Sequence, residues 1–244
     1  MRTNFLASFL AFAAAVTADA QARPTFEVST VRQNLSGTGG NRIGVSGQTL
    51  TMSNVTLNIC LKMAYDLQDS QISGPDSINS DRFDIVAKAS GPIHSQDELK
   101  LMLQSLLTDR FHLKLHREER DLSIYALVIG KGGPKFTKSV GEGHTSLMGK
   151  GTLVARYAPM KALATFLSGP MQRPVVDMTG MEGEFDFKFD LMAYAPPDLE
   201  PSKNPDVAAM VLSGLEPELG LKLESRKAPT SVLVIDHLEK PDEN

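Results

Sequence analysis

The amino-acid sequence predicts an α+β protein made of two tandem copies of a small unit with the order strand–helix–strand–strand–helix–strand–strand. Two apolar motifs recur along the chain: Leu-Lys-Leu begins at residues 113 and 221, and Leu-Val-Ile begins at residues 127 and 233. The pair Phe-Asp likewise begins at residues 83 and 185. Because five matched elements recur in the same order at a nearly constant offset, the pattern indicates an internal duplication.

The first copy is predicted over residues 21–131. Apolar residues at helical spacing, including Leu57 and Leu61, predict a helix that Thr56 caps. Ser95 stands three residues before a glutamate, and this capping box predicts the start of a second helix. Strands are predicted over residues 25–31, 42–45, 49–52, 72–73, 82–87, 111–116 and 125–129, with a charged turn at 118–120 between the last two.

A Gly-rich stretch over residues 132–151 has no apolar period and is predicted to be a linker. The second copy is predicted over residues 152–244 and repeats the elements of the first. Its strands are predicted over residues 153–157, 174–177, 184–189, 219–224 and 232–235, with helices that begin near Pro159 and Val207. Each copy is small for an independent core, so we expect the two copies to pack together.

Residues 1–20 read as a signal peptide. Arg2 gives a positive start, residues 5–16 are almost wholly apolar, and small residues precede a cleavage site after Ala20. The apolar run is too short to span a bilayer comfortably, so no stable membrane insertion of the mature chain is expected. The sequence therefore predicts export to the periplasm or to the outside of the cell. Cys60 is the one cysteine, and its apolar helical setting predicts a buried structural thiol.

The composition argues against a nucleic-acid partner. The formal net charge is -4 and tryptophan is absent, so the chain offers neither a basic surface nor many stacking platforms. The loop over residues 35–41 lacks the ending of a phosphate-binding loop, and no cofactor is predicted.

No catalytic, cofactor-binding or metal-ligating residue is predicted. His112 and His116 are expected on one face of a strand with Lys114 between them, which does not suit a metal site. Asp236 and His237 are adjacent on a predicted strand, where neighbouring side chains point to opposite faces, so they are not expected to form a dyad. The sequence contains neither a Gly-x-Ser-x-Gly nor a His-Glu-x-x-His motif.

Six motifs spread over most of the chain carry a resemblance to a known family: Phe-Glu-Val-Ser-Thr-Val at 26–31, Gln-Ile-Ser-Gly-Pro at 71–75, Arg-Phe-Asp-Ile-Val-Ala-Lys-Ala at 82–89, Arg-Pro-Val-Val-Asp at 173–177, Gly-Leu-Lys-Leu-Glu-Ser-Arg-Lys at 220–227 and Val-Leu-Val-Ile-Asp-His at 232–237. In these motifs the chain resembles a family of soil-associated proteins of unknown function that is expanded in Acidobacteria such as Solibacter. Some members of that family carry this region beside a metallopeptidase of the antibiotic-sensor type, which implies a sensing or binding role outside the cytoplasm. Each copy also weakly resembles the short N-terminal domain of secretins and TonB-dependent receptors, which mediates protein contacts.

We therefore expect an exported, non-catalytic binding or interaction module, with a sensing or envelope-associated role and an unknown protein or envelope partner. One alternative is a secreted hydrolase with dispersed residues, which would require a pocket where His94, His112 or His116 meets carboxylates. The other alternative is a structural surface protein that assembles through its sheet edges.

Overall fold

A computed structural model describes residues 23–36, 39–141, 143, 146–149, 151–196 and 206–241, and it confirms the predicted α+β class. The first half contains strands β1 (Val28–Gln33), β2 (Arg42–Ser46), β3 (Thr49–Thr56), β4 (Ile72–Ser73), β5 (Arg82–Lys88) and β6 (Lys114–Ile129), with helices α1 (Leu57–Tyr65), α2 (Ser77–Ser80) and α3 (Gln96–Phe111). The second half contains strands β7 (Thr137–Lys138), β8 (Ser146–Gly149), β9 (Thr152–Ala158), β10 (Val175–Asp177), β11 (Phe185–Asp190) and β12 (Leu221–His237), with helices α4 (Met160–Met171) and α5 (Val207–Leu219). None of the helices in this described part has the length and apolar character needed to cross a bilayer.

The two outer sheets have the same arrangement of strands. The first has the order β1-β5-β3-β2 and the second has the order β7-β11-β9-β8. The stretch over 132–151 that was predicted to be a linker therefore supplies two strands, β7 and β8, at the positions that β1 and β2 hold in the first sheet. Common descent of the two halves from one duplicated unit stays a prediction, and this shared order is consistent with it.

The central sheet has the order β10-β6-β12-β4 and is dominated by two long strands. β6 and β12 have 16 and 17 residues and pair antiparallel along almost their whole length. The prediction of two short strands is therefore wrong in both halves, and the charged turn predicted at 118–120 is not formed. The charged residues 117–120 lack glycine, proline and asparagine, and each of them pairs with a residue of β12 instead of reversing the chain.

The short strand of each half pairs with the long strand of the other half. β4 runs parallel to the end of β12, and β10 runs parallel to β6. The hydrophobic core of each half likewise contains a residue from the long strand of the other half. Leu233 of β12 packs in the first core, and Leu127 of β6 packs in the second. The two halves are consequently interlocked through the central sheet.

The local sequence patterns predicted the starts of helices α1 and α3 correctly but predicted one strand incorrectly. Thr56 and Ser95 cap α1 and α3, with side-chain oxygens that accept from the backbone N–H three residues later. Helix α3 extends to Phe111, and His112 ends it in the left-handed conformation with φ of 48°. The predicted strand over 111–116 is thus wrong in its first part, because burial of Phe111 favours one more helical residue over strand alternation.

The repeated Phe-Asp pair has the same two roles in both outer sheets. Phe83 and Phe185 are buried, and the following aspartates accept a backbone N–H from the neighbouring strand. Asp84 accepts from Asn54 at 2.8 Å, and Asp186 accepts from Tyr157 at 3.0 Å. Both donors, at φ of 56° and 48°, lie in the left-handed region, so the carboxylate stabilises a strained irregularity of β3 and of β9.

Candidate functional site

A pocket of about 560 Å³ opens where β12 ends against the first half of the protein. We call it the C-terminal pocket, because the segment 235–240 forms one of its walls. Its volume falls within the range that small-molecule sites usually have. Its lining residues are Leu57, Pro75, Ser77, Asp81, Phe83, Phe111, Ile235, Asp236, His237, Leu238, Glu239 and Lys240.

The floor of the C-terminal pocket is apolar. Phe83 of β5 and Phe111 of α3 meet edge to face with their ring centroids 5.0 Å apart. Ile235 and Leu238 pack against the same core and continue the apolar surface toward the opening. Edge-to-face packing of buried aromatic rings is favourable, so the two side chains stabilise each other's position in the floor.

The rim of the pocket carries charged and titratable groups. Glu239 lies between two imidazoles: its Oε1 is 2.7 Å from Nε2 of His237, and its Oε2 is 3.4 Å from Nδ1 of His112. The hydrogen bond from His237 holds the pKa of Glu239 below its usual value. The next residue, Lys240, pairs with Asp81 at 3.4 Å.

A third imidazole reaches the pocket through Asp236. Nδ1 of His116 lies 2.8 Å from Oδ1 and 2.9 Å from Oδ2 of that carboxylate. The hydrogen bond with Asp236 raises the pKa of His116 above its ordinary value, and the negative charge of Glu118, 3.9 Å away, acts in the same direction. Three of the five histidines of the chain therefore meet carboxylates at this one place.

Several predictions about these residues need correction. His112 does not share a strand face with His116, because it caps α3 while His116 belongs to β6. Asp236 and His237 both line the C-terminal pocket although they are adjacent, and the pairing register of β12 shifts between Ile235 and His237. As expected, these two side chains do not bind each other: Asp236 pairs with His116 on the neighbouring strand, and His237 pairs with Glu239.

The remaining candidates have structural roles. Cys60 is buried, and burial raises the pKa of its thiol to about 12, so it is not a nucleophile. His94 does not line the pocket, and its backbone N–H donates to Glu98. Over the described ranges, no three His, Cys, Asp or Glu side chains converge in a way that would hold a metal ion.

Sequence reasoning missed Asp81, Glu239 and Lys240. Each is an unremarkable polar residue near the end of an element, and no local pattern distinguishes it. The tertiary structure brings them together: the backbone N–H of Glu239 donates to the carbonyl of Phe111 at 2.9 Å, which fixes the tail beside α3. Only the pairing of β12 with the first half could have indicated this convergence.

The arrangement can bind a ligand and can exchange protons. Imidazoles held by carboxylates are the usual groups for reversible protonation near neutral pH. Among the residues that the structure describes, no hydroxyl or thiol forms a hydrogen bond with His112, His116 or His237.

Comparison with known proteins identifies a family to which most of the chain matches. A family described as "Protein of unknown function (DUF3738)" matches residues 58–238, a range that runs from α1 to just past the end of β12. No curated protein and no solved structure matches the chain.

Proposed function

We propose that this chain, which belongs to the DUF3738 family of proteins of unknown function, is a non-catalytic binding module that holds a small ligand in the C-terminal pocket. The observation that carries the proposal is the combination of an apolar floor and a ring of titratable groups around about 560 Å³. Binding sites for small molecules commonly combine an apolar lining with a few convergent polar groups.

The charges of the rim favour a ligand with a positively charged group. Three carboxylates line the pocket, those of Asp81, Asp236 and Glu239, against a single lysine, Lys240. With neutral imidazoles the lining is therefore net negative. An amine or another cation attached to an apolar body would place its charge at the rim and its body on Phe83 and Phe111.

The wider setting of this proposal comes from the sequence. The predicted signal peptide over 1–20 supports a role outside the cytoplasm, in the periplasm or beyond the cell. The resemblance to soil-associated proteins of Acidobacteria supports a sensing role. The weaker resemblance to the short N-terminal domain of secretins and TonB-dependent receptors supports a protein or envelope partner that binds the ligand-bound form.

A matched series of three probes tests the proposal on the chain without its predicted signal peptide. Hexylamine, hexanol and hexanoate share one apolar body and differ in the charge of the head group. We expect hexylamine to bind most tightly of the three at the C-terminal pocket, with NMR shifts confined to amides such as those of Leu57, Phe111 and Leu238.

The paired variant Asp81→Asn/Glu239→Gln removes two rim charges and should weaken hexylamine by about tenfold. The control Asp121→Asn makes the same kind of change at an exposed position of β6 outside this pocket and should have no effect. Equal binding of hexylamine and hexanol at this pocket, or shifts elsewhere, would contradict the proposal.

The His–carboxylate pairs favour one second candidate, a secreted hydrolase. This candidate predicts turnover of a chromogenic ester or glycan that falls with His116→Ala or His237→Ala while binding of hexylamine persists. A chain that turns over such a substrate and binds none of the probes would replace the binding proposal.

A further inference from the structure

A second pocket, of about 490 Å³, lies where α1 and α3 face the start of β6. We call it the arginine pocket. It is lined by Arg23, Tyr65, Leu101, Gln104, Thr108, Leu113, Leu115, His116, Arg117 and Leu233. Its position is distinct from that of the C-terminal pocket, and the two linings share no residue.

The charged residues of the arginine pocket are all basic. Arg23 and Arg117 are exposed, and no Asp or Glu belongs to the lining. Nη1 of Arg117 donates to the hydroxyl of Ser231 at 3.1 Å, which fixes the direction of its side chain. In the part of the chain that the structure describes, neither guanidinium has a carboxylate within ion-pair distance. The two positive charges are therefore left without a negative partner.

Tyr65 belongs to the same lining as Arg23 and Arg117 and offers a neutral phenolic donor. Its side chain is half-buried: burial raises the pKa of the hydroxyl, and the charges of Arg117 and Arg23 oppose that rise. Gln104 contributes a carboxamide that is anchored through Nε2 to the carbonyl of Ala64 at 2.7 Å. Two forked cations and a phenolic O–H around one volume suit an oxyanion.

An apolar wall completes the arginine pocket. Leu113 and Leu233 are buried beneath it, and Leu115 is partly buried beside them. Leu101 of α3 is 42% exposed at the edge of the same pocket. We propose that this pocket binds the oxyanion head, carboxylate or phosphate, of a small ligand whose apolar body lies on these leucines.

This inference stands apart from the proposed function because its residues and its ligand charge are different. The two pockets meet at one contact, since His116 of the arginine pocket is hydrogen bonded to Asp236 of the C-terminal pocket. A ligand that places a negative charge beside His116 would favour the protonated imidazole and would strengthen that contact.

Hexanoate and hexyl phosphate test the arginine pocket, with hexanol as the uncharged probe of the same body. We expect the two anions to shift the amides of Tyr65, Gln104 and Leu113 and to lose affinity as NaCl increases. Tighter binding of hexanoate would identify a carboxylate ligand, and tighter binding of hexyl phosphate would identify a phosphate ligand; both results support the site.

Arg23→Gln/Arg117→Gln should weaken the preferred anion by at least about tenfold. The control Arg120→Gln neutralises an arginine three residues further along β6, which pairs with Glu118, and should leave the affinity unchanged. The salt dependence of the unmodified chain provides a second measure if the double variant does not fold.

Anion affinity that is equal to that of hexanol, or that does not change in the double variant or with salt, would overturn the proposal. The variants distinguish failure of this proposal from failure of the proposal for the C-terminal pocket. Asp81→Asn/Glu239→Gln should not affect anion binding, and the arginine variants should not affect binding of hexylamine.

Discussion

His116 couples the pH of the solution to the contact between β6 and β12. Its hydrogen bond with Asp236 raises its pKa above the ordinary value of 6.5. A group whose pKa is raised in the folded state adds stability that is fully present below the unfolded pKa. That stability is lost as the pH rises through the folded pKa. The contact therefore weakens across the range just above pH 6.5.

The first prediction is that an NMR titration finds the pKa of His116 above 6.5 and that Asp236→Asn lowers it toward that value. The loss of the carboxylate removes both the hydrogen bond and the negative charge that favour the imidazolium. An unchanged titration of His116 in the variant would disprove the assignment.

Asp84 provides the second prediction at this scale. Asp84→Ala leaves the N–H of Asn54 without its acceptor and removes the partner of the Asn34 side chain, 3.0 Å away. We expect the free energy of unfolding to fall by about 1–3 kcal/mol, the usual cost of an unsatisfied polar group in a partly buried site. Urea denaturation measures the change.

Lys88→Ala is the matched control for Asp84→Ala. Lys88 is exposed on the same face of β5, and its replacement should change the free energy of unfolding by less than about 0.5 kcal/mol. Equal effects of the two substitutions would show that the bond to Asn54 does not stabilise the irregularity of β3. The sequence showed that the Phe-Asp pair recurs, but not that its carboxylate holds a strained neighbour, since the donor is 30 residues away.

At the scale of elements, the end of α5 depends on Gly220. This residue has φ of 67°, and its backbone N–H donates to the carbonyl of Glu216. A Cβ at this position would lie 1.8 Å from the carbonyl oxygen of Gly133, in the loop that follows β6. The helix end and the loop thus approach each other as closely as two backbones can.

The third prediction is that Gly220→Ala lowers the free energy of unfolding by more than the ~1–2 kcal/mol that left-handed backbone alone costs a residue with a side chain. The backbone of Gly133 must also move to make room. Thermal unfolding measures the loss. Gly132→Ala is the control, because a Cβ there meets nothing within 4 Å and its φ is not in the left-handed region. A Gly220→Ala protein as stable as the control would contradict this account.

Elements with strong local signals were predicted and weakly marked ones were not. The capping residues Thr56 and Ser95 and the apolar spacing of the helices placed α1 and α3 because those signals act within a few residues. The strands β7 and β8, with two and four residues, are too short to show a period. The charged middle of β6 resembled a turn because its stabilising partner, β12, lies about a hundred residues away.

For the molecule as a whole, the exchange of strands predicts a single unfolding transition. Leu233 fills the first core and Leu127 fills the second, so neither core is complete without a strand that begins in the other half. Native-state hydrogen exchange should give the same free energy of opening for Leu61 in α1 and Leu163 in α4. This is the fourth prediction.

Leu103→Ala provides a stricter test, because it truncates a fully buried side chain that belongs to the first half only. We expect a loss of about 2–5 kcal/mol that appears equally at Leu61 and at Leu163. A loss confined to Leu61 would show that the halves unfold separately.

The candidate site belongs to this same scale, which explains why the sequence did not reveal it. Asp81 ends α2, Phe111 ends α3 and Glu239 lies in the segment that follows β12. No spacing rule links residues that are 30 and 128 positions apart. The individual side chains were visible in the sequence, but their convergence depends on which strand pairs with which.

The position of β12 after all five helices has a consequence for how the protein is made. A nascent chain that has emerged as far as residue 219 already contains α1 to α5, yet it lacks the strand whose last residues close the first core. The core around α1 and α3 therefore stays incomplete until the ribosome has delivered β12, although its own helices are made before α4 and α5. A premature stop after residue 230 would accordingly damage the core around Leu50 and Leu103 more than the neighbouring core around Leu163.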